Sequence, residues 1–114
     1  MDQELYDFLV QIFGEEKVGL AYSDKVTEPG LSIRYVQLSE DYQKELDGTT
    51  NLAIGRFMVQ VWHDSMLEVR DSASDLLRVA EGTKFQIQNS RPVRVDGNKR
   101  KWHKDLEIVI MEDV

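Results

Sequence analysis

The chain has 114 residues, of which 41% are hydrophobic and 31% charged, and its formal net charge is −7. We expect residues 1–114 to form one soluble domain, cytoplasmic when made. The absence of cysteine excludes disulfides, thiolate metal sites and cysteine nucleophiles. No apolar run approaches the roughly 20 residues that span a bilayer, and the acidic start MDQELYDFLV lacks the basic start of a signal peptide.

The first predicted element is an amphipathic helix over Asp2–Phe13, which Gly14 ends. Its buried face has the spacing i, i+3, i+4, i+7 and consists of Leu5, Phe8, Leu9 and Ile12. A second apolar stripe consists of Tyr6, Val10 and Phe13. Either the helix is wrapped deeply by its own domain, or this stripe contacts a second subunit.

The next segment, Glu15–Gly30, has a weak pattern. Alternation of Val18, Leu20 and Tyr22 favours a short strand, and Pro29-Gly30 marks a turn. Leu31–Leu38 alternates more clearly and predicts a strand, with Arg34 opposite its apolar face.

A polar, acidic stretch, Ser39–Asn51, predicts a connection longer than a tight hairpin needs. Long polar loops on rigid sheets often make contacts, although a surface loop without a partner is an equal alternative. The candidate contact residues are Glu40, Asp41, Tyr42, Lys44, Glu45 and Asp47.

The central strand is predicted over Leu52–His63, and it is apolar on both faces. One face carries Phe57, Val59 and Val61, and the other carries Met58, Gln60 and Trp62. A strand of this kind is covered on both sides. Because a short chain offers few elements for the second cover, we take Met58, Gln60 and Trp62 as candidates for a subunit interface.

A second helix follows from Ser65, with Ser65 and Glu68 as a capping box and Gly82 as its end. Its predicted buried face consists of Met66, Val69, Ala73, Leu76, Leu77 and Ala80.

The last third predicts strands again: one at Phe85–Gln88, then a hairpin through Asp96-Gly97, and a final strand that alternates from Trp102 to Ile110. The order helix, strands, helix, strands predicts an α+β fold, with a mostly antiparallel sheet and both helices on one face.

Charge is concentrated in the segment Arg91–Lys104, which holds six of the 14 basic residues and one acid. The segment is +5 and the rest of the chain −12. The candidate contact residues here are Arg94, Lys99, Arg100 and Lys101. The segment is either a solvated turn or a contact for an acidic partner; alternatively, it binds nucleic acid, with Trp102 stacking on a base. The continued alternation favours Trp102 in the core.

No catalytic pattern is present, and we expect no enzyme, cofactor or metal site. His63 and His103 each have an aspartate nearby, but their spacing does not place two metal ligands on one helical face. Glycine-rich phosphate loops and a nucleophile elbow are absent from the sequence.

The element order and the segment GRFMVQVWHDSMLEVRDSASDLLRVAEG (Gly55–Gly82) resemble the tail terminator, or tail completion, proteins of long-tailed bacteriophages, which include head–tail joining proteins. Those are small α+β proteins with a first amphipathic helix, a strand ending in a V-x-V-W/D-type run, a helix and a closing strand pair. Phe57–Asp64, Ser65–Ala80 and the C-terminal hairpin carry the resemblance, whereas Glu15–Gly30 does not match.

This resemblance implies a homo-oligomeric ring, usually a hexamer, in the virion. Such a ring caps the tail tube, ends its polymerisation and joins the tail to the head connector, while DNA passes through the lumen without specific binding. The acidic charge fits a lumen that does not hold DNA. In such a ring Tyr6, Val10 and Phe13 would belong to the subunit interface. The segments Ser39–Asn51 and Arg91–Lys104 would contact the tube and the connector.

Overall fold

The computed structural model describes residues 2–21, 29–44, 50–97 and 101–113. The helices and strands in these ranges are α1 (Asp2–Phe13), β1 (Val18–Leu20), β2 (Ser32–Lys44), β3 (Thr50–His63), α2 (Met66–Ala80), β4 (Phe85–Ser90), β5 (Arg94–Asp96) and β6 (Lys101–Asp113). A 3₁₀ turn, Glu15–Lys17, connects α1 to β1. The order agrees with the predicted α+β class.

The six strands form one sheet in the order β1-β2-β3-β6-β4, with β5 also paired to β6. β1 runs parallel to β2, and all the other pairs are antiparallel. The predicted fold, a mostly antiparallel sheet with both helices on one face, is therefore confirmed. The parallel β1 pairing was not predicted from the sequence.

The core lies between the two helices and one face of the sheet, which we call the helix face. Its fully buried side chains include Leu5 and Leu9 of α1, Val69 and Leu76 of α2, and Phe57, Val59, Val61, Leu106, Ile108 and Ile110 of the sheet. The rings of Phe8 and Phe85 stack with centroids 4.1 Å apart, which ties α1 to β4. The alternation predicted for β3 and β6 is thus confirmed on this face.

The second stripe of α1 is partly used inside the chain. Tyr6, Val10 and Phe13 are partly buried and pack against the core, and the rings of Tyr6 and Tyr35 lie 6.2 Å apart. Burial, assisted by nearby Asp2 and Tyr6, raises the pKa of the Tyr35 hydroxyl. The deep wrapping of α1 therefore accounts for part of the stripe, and a subunit contact there stays a prediction.

Helix α2 begins at the predicted cap, where the hydroxyl of Ser65 accepts a hydrogen bond from the backbone N–H of Glu68 at 3.5 Å. The reciprocal half of the predicted capping box is wrong, since the N–H of Ser65 donates to Nδ1 of His63 and not to Glu68. Its buried residues are Val69, Ala73, Leu76 and Ala80. The prediction that Met66 and Leu77 belong to this face is wrong, since both side chains are largely exposed. They lie at the borders of the apolar stripe, where the contact with the sheet ends.

The predicted loop Ser39–Asn51 is wrong in its bounds. Strand β2 continues to Lys44 and strand β3 starts at Thr50, so the two strands pair far beyond the apolar pattern. Glu40, Asp41, Tyr42 and Lys44 are therefore strand residues, while Glu45 and Asp47 lie outside the described residues. Backbone pairing with β3 holds this polar stretch in the sheet, although the side chains of Glu40, Asp41 and Tyr42 are exposed.

Strands β2, β3 and β6 have 13 or 14 residues each, which corresponds to roughly 43–46 Å. Helices α1 and α2, with 12 and 15 residues, span only about 18 and 22 Å. The sheet therefore extends beyond its helices, and the molecule measures 53 × 26 × 25 Å. We call the extension formed by Ser39–Lys44 and Thr50–Ile54 the arm.

Neither described helix has the length and apolar character that crossing a membrane requires.

Candidate functional site

The face of the sheet that lies away from the helices, here the open face, carries a connected polar cluster. The ring N–H of Trp62 donates to the side-chain oxygen of Gln60 at 3.3 Å, and the Gln60 amide donates to Oδ1 of Asp105 at 3.3 Å. Nδ1 of His103 lies 3.1 Å from the same oxygen, and the His103 ring stacks on Trp62 at 4.4 Å. Trp62 is thereby covered by its own chain.

This cluster revises the prediction that Met58, Gln60 and Trp62 need a neighbouring subunit as cover. Trp62 is buried, and Gln60 and Met58 are partly buried in the isolated chain. Met58 lines a hollow of about 230 Å³ together with Ser90, Arg91, Asp105 and Glu107. A subunit contact on the open face is not required to bury Trp62, because the His103 ring stacks on it and the Gln60 side chain accepts the hydrogen bond of its ring N–H.

The same face buries an arginine. Arg34 is 1% exposed, and its Nε donates to the hydroxyl of Ser32 at 2.8 Å. Its guanidinium passes over Gly19 of β1, where a methyl group on the glycine would lie only 2.1 Å from Nη1. Glycine at this position therefore leaves the room that the buried guanidinium of Arg34 occupies.

A second buried cation lies at the start of β6. The Nζ atom of Lys101 is 3.4 Å from Oδ1 of Asp64, and the Lys101 side chain is 3% exposed. Oδ2 of Asp64 accepts a hydrogen bond of 2.8 Å from the backbone N–H of Gly30. Gly30 has a positive φ of 93°. That hydrogen bond, with the Lys101 charge, lowers the pKa of Asp64.

The prediction that Lys101 lies in a contact loop is wrong, because the β5–β6 hairpin places it in a strand, buried beside Asp64. Arg94 lies in β5 and is exposed, as predicted for a contact residue. Lys99 and Arg100 lie outside the described residues. Trp102 is partly buried and packs against the core, as the continued alternation predicted, and the nucleic-acid alternative stays a prediction.

The two histidines lie on opposite faces of the sheet. His63 pairs with Trp102, whose side chain packs on the helix face, whereas His103 pairs with Trp62 on the open face. Nδ1 of His63 accepts a hydrogen bond from the backbone N–H of Ser65. Within the described residues, no three His, Asp or Glu side chains are grouped to hold a metal ion.

Lys84 joins three elements at the other end of the core. Its ammonium contacts the carboxylate of Glu4 in α1 and lies 2.9 Å from that of Glu112 in β6. The bond to Glu4, followed by that to Glu112, raises the pKa of Lys84, and the bond to Lys84 lowers the pKa of Glu4. All three side chains are partly exposed, so the ion pairs position these elements and add little free energy.

Beyond Tyr35 the outer edge of β2 has no strand partner among the described residues. β1 pairs with residues 33–35 of β2, and the N–H of Ala21 bonds to the carbonyl of Tyr35. Along the arm the Gln37 side-chain amide donates to the Ser39 carbonyl at 3.5 Å, and no described strand pairs with this edge. Two large apolar side chains, Leu38 and Tyr42, are exposed there.

The opposite edge of the sheet is formed by β4, whose outer side has no strand partner in the described part of the chain. A groove of about 720 Å³ runs between this edge and the C-terminal half of α2. Leu77, Phe85 and Ile87 line it among polar residues. Exposed Leu77 therefore belongs to a groove wall and not to the core.

Sequence patterns alone did not reveal the groove, the arm or the buried cations. A weak signal for the β4 edge was present, since FQIQNS contains no charged residue in a chain that is 31% charged. No known protein-family profile matches this chain, and no curated protein matches it either.

Proposed function

We propose that this protein is a non-enzymatic structural subunit that assembles with copies of itself into a closed ring. The observation that supports it most directly is the outer edge of β4, which has no strand partner among the described residues and no charged residue within Phe85–Ser90, beside an open groove. Natural sheets usually protect such edges with charge, proline or a covering element. An edge that lacks these protections is suited to pairing with another chain.

The proposed role of the ring is that of a bacteriophage tail terminator. The element order, a first amphipathic helix, a strand with V-x-V-W, a helix and closing strands, is the one on which the resemblance rests. In this role the ring, which we expect to be a hexamer, caps the tail tube, ends its polymerisation and meets the head connector. The protein then belongs to the virion, at the interface of tail and head.

The negative net charge of the chain supports a ring lumen that does not bind the DNA passing through it. A net charge of −7 disfavours contacts with DNA phosphates as DNA passes through the ring. The exposed residues Glu40, Asp41 and Arg94 are the described candidates for axial contacts with the tube and the connector.

Two measurements test this function. Native mass spectrometry and light scattering over a range of protein concentrations report the subunit number, and electron microscopy of uncapped tail tubes mixed with the protein reports end-binding. We expect one defined ring size and density at one tube end, with no further tube growth. A chain that is monomeric at every concentration and leaves the tubes unbound overturns the proposal.

A further inference from the structure

We propose that the β4 edge and its groove bind the outer edge of β2, residues 37–42, of a second copy of this chain. The inference deepens the proposed function and rests on its premise of self-assembly, but its own evidence is the layout of the sheet. It commits to a heterologous contact, in which two different edges meet, and not to a symmetric pairing of like edges.

Strand direction favours this contact. From β2 through β3 and β6 to β4, each neighbouring pair is antiparallel, so β2 and β4 point in opposite directions. When a rotation about an axis along the strands places identical sheets side by side, β4 of one copy meets β2 of the next in antiparallel orientation. That is the better-bonded of the two strand pairings.

The free stretches of the two edges also lie at matching positions along the strand direction. Gln86 pairs with Val109, Val109 pairs with Arg56, and Arg56 pairs with Ser39, so Gln86 and Ser39 lie at one height in the sheet. This height is beyond the residues of β2 that β1 occupies, which end at Tyr35. The free stretch of β2 therefore stands where the free stretch of β4 would meet it.

The exposed side chains fit the groove. Tyr42 lies opposite Ala53, and Ile87 opposite Ile108, which places both side chains on the helix face of the sheet. A rotation keeps the helices of successive copies on the same side of the joined sheet. On the same register Glu40 stands level with Phe85, and Tyr42 of the second copy stands level with Thr83 at the end of the groove, where its ring, now 57% exposed, is covered.

The charges of the two edges are complementary. Lys84, just before β4, already pairs with Glu4 and Glu112, so Arg91, just after β4, is the base that this edge offers, whereas Val36–Tyr42 carries two acids and no base. Arg91 is exposed and forms no ion pair with a described residue. Opposite charges on meeting edges favour this pairing over pairing of β4 with β4 or of β2 with β2, which would bring like charges together.

Disulfide cross-linking tests the contact directly, since the chain contains no cysteine of its own. The probes are Gln86→Cys on β4 with Ser39→Cys or Asp41→Cys on β2, all placed on exposed or partly exposed strand positions. We expect the double variant with Ser39→Cys, once oxidised, to give a ladder of chains up to the ring size, and the one with Asp41→Cys, two residues out of register, to cross-link less. Each single variant is expected to stay uncross-linked.

The outcomes separate this inference from the proposed function. Dimers from a single variant show symmetric pairing and overturn the inference. A defined oligomer by native mass spectrometry without a ladder shows that the ring forms through another surface, so the function survives and the inference fails. A chain that neither assembles nor cross-links overturns both.

A point variant gives an independent measurement. Tyr42→Glu places a charge in the occupied groove, and we expect at least a tenfold weaker assembly by light scattering. Leu67→Glu is the matched control, because Leu67 is 51% exposed on α2 and does not line the groove. Equal assembly of the two variants contradicts the inference, and circular dichroism verifies that both are folded.

Discussion

Asp64 and Lys101 form an ion pair between the end of β3 and the start of β6, with Nζ 3.4 Å from Oδ1. The two charges differ in exposure, because the Lys101 side chain is almost fully buried while that of Asp64 is half exposed. A buried ammonium depends strongly on its neighbouring carboxylate. Removal of Asp64 alone would leave the Lys101 charge buried without this carboxylate, so it should cost more than removal of one partner of a surface ion pair.

The first prediction concerns Asp64→Asn, which keeps the acceptor for Gly30 but removes the charge beside Lys101. We expect a loss of about 1–2 kcal/mol in the free energy of unfolding at pH 7, measured by urea denaturation. Asp75→Asn is the control, since Asp75 lies closer to its partner Arg78, at 3.0 Å, but both are exposed. The control is expected to change stability by less than about 1 kcal/mol.

The effect of Asp64→Asn depends on pH with a defined sign. Folding lowers the pKa of Asp64, so its contribution is present above the unfolded value near 3.8 and is lost as pH falls through the folded value. The difference between the wild type and Asp64→Asn should hold from pH 7 to about 5 and disappear in stronger acid. A difference that grows on acidification contradicts this assignment.

The second prediction concerns the open-face cluster. Gln60→Glu places a carboxylate against Oδ1 of Asp105. We expect a destabilisation of about 1–3 kcal/mol at pH 7 that becomes smaller in acid, where the introduced glutamate takes up a proton.

Gln60→Met is the control at the same position. It removes the hydrogen bonds to Trp62 and Asp105 without adding charge, so its destabilisation should vary much less over the same pH range. Parallel pH profiles of the two variants would show that repulsion between the carboxylates is not the cause.

The third prediction concerns the contact of Gly19 with Arg34. Gly19→Ala forces the buried guanidinium to move, and we expect a loss of about 1–3 kcal/mol in urea denaturation. Gly97→Ala is the control, because a methyl group there meets no described atom within 4 Å. Its effect should stay within about 0.5 kcal/mol, and equal effects of the two variants contradict the close contact.

The fourth prediction compares adjacent leucines of α2. Leu76 is fully buried, whereas Leu77 is 40% exposed in the groove wall. Leu76→Ala should reduce the free energy of unfolding by about 2–5 kcal/mol, and Leu77→Ala by less than about 1. If the groove is a docking surface, Leu77→Ala should instead weaken self-assembly, as measured by light scattering. A large loss of stability in Leu77→Ala would contradict the assignment of Leu77 to the groove wall.

The sequence by itself determined the elements whose signals are local. The helical spacing of Leu5, Leu9, Val69 and Leu76 predicted both helices, and Ser65 marked the start of α2. Both signals are visible in the sequence because the apolar face and the cap of a helix are formed by residues only a few positions apart. The alternation of β3 and β6 predicted the core face in the same way. These signals were sufficient for the α+β class.

Only the tertiary structure decided the rest. The polar residues Ser39–Lys44 form a strand because β3 supplies their hydrogen bonds. Their sequence has no apolar alternation from which this strand could have been predicted. Lys101 is buried because a distant carboxylate, Asp64, lies beside it, although its basic neighbours in sequence predict an exposed loop. Pairing and charge compensation join residues far apart in the chain, so they were settled by the sheet and not by local pattern.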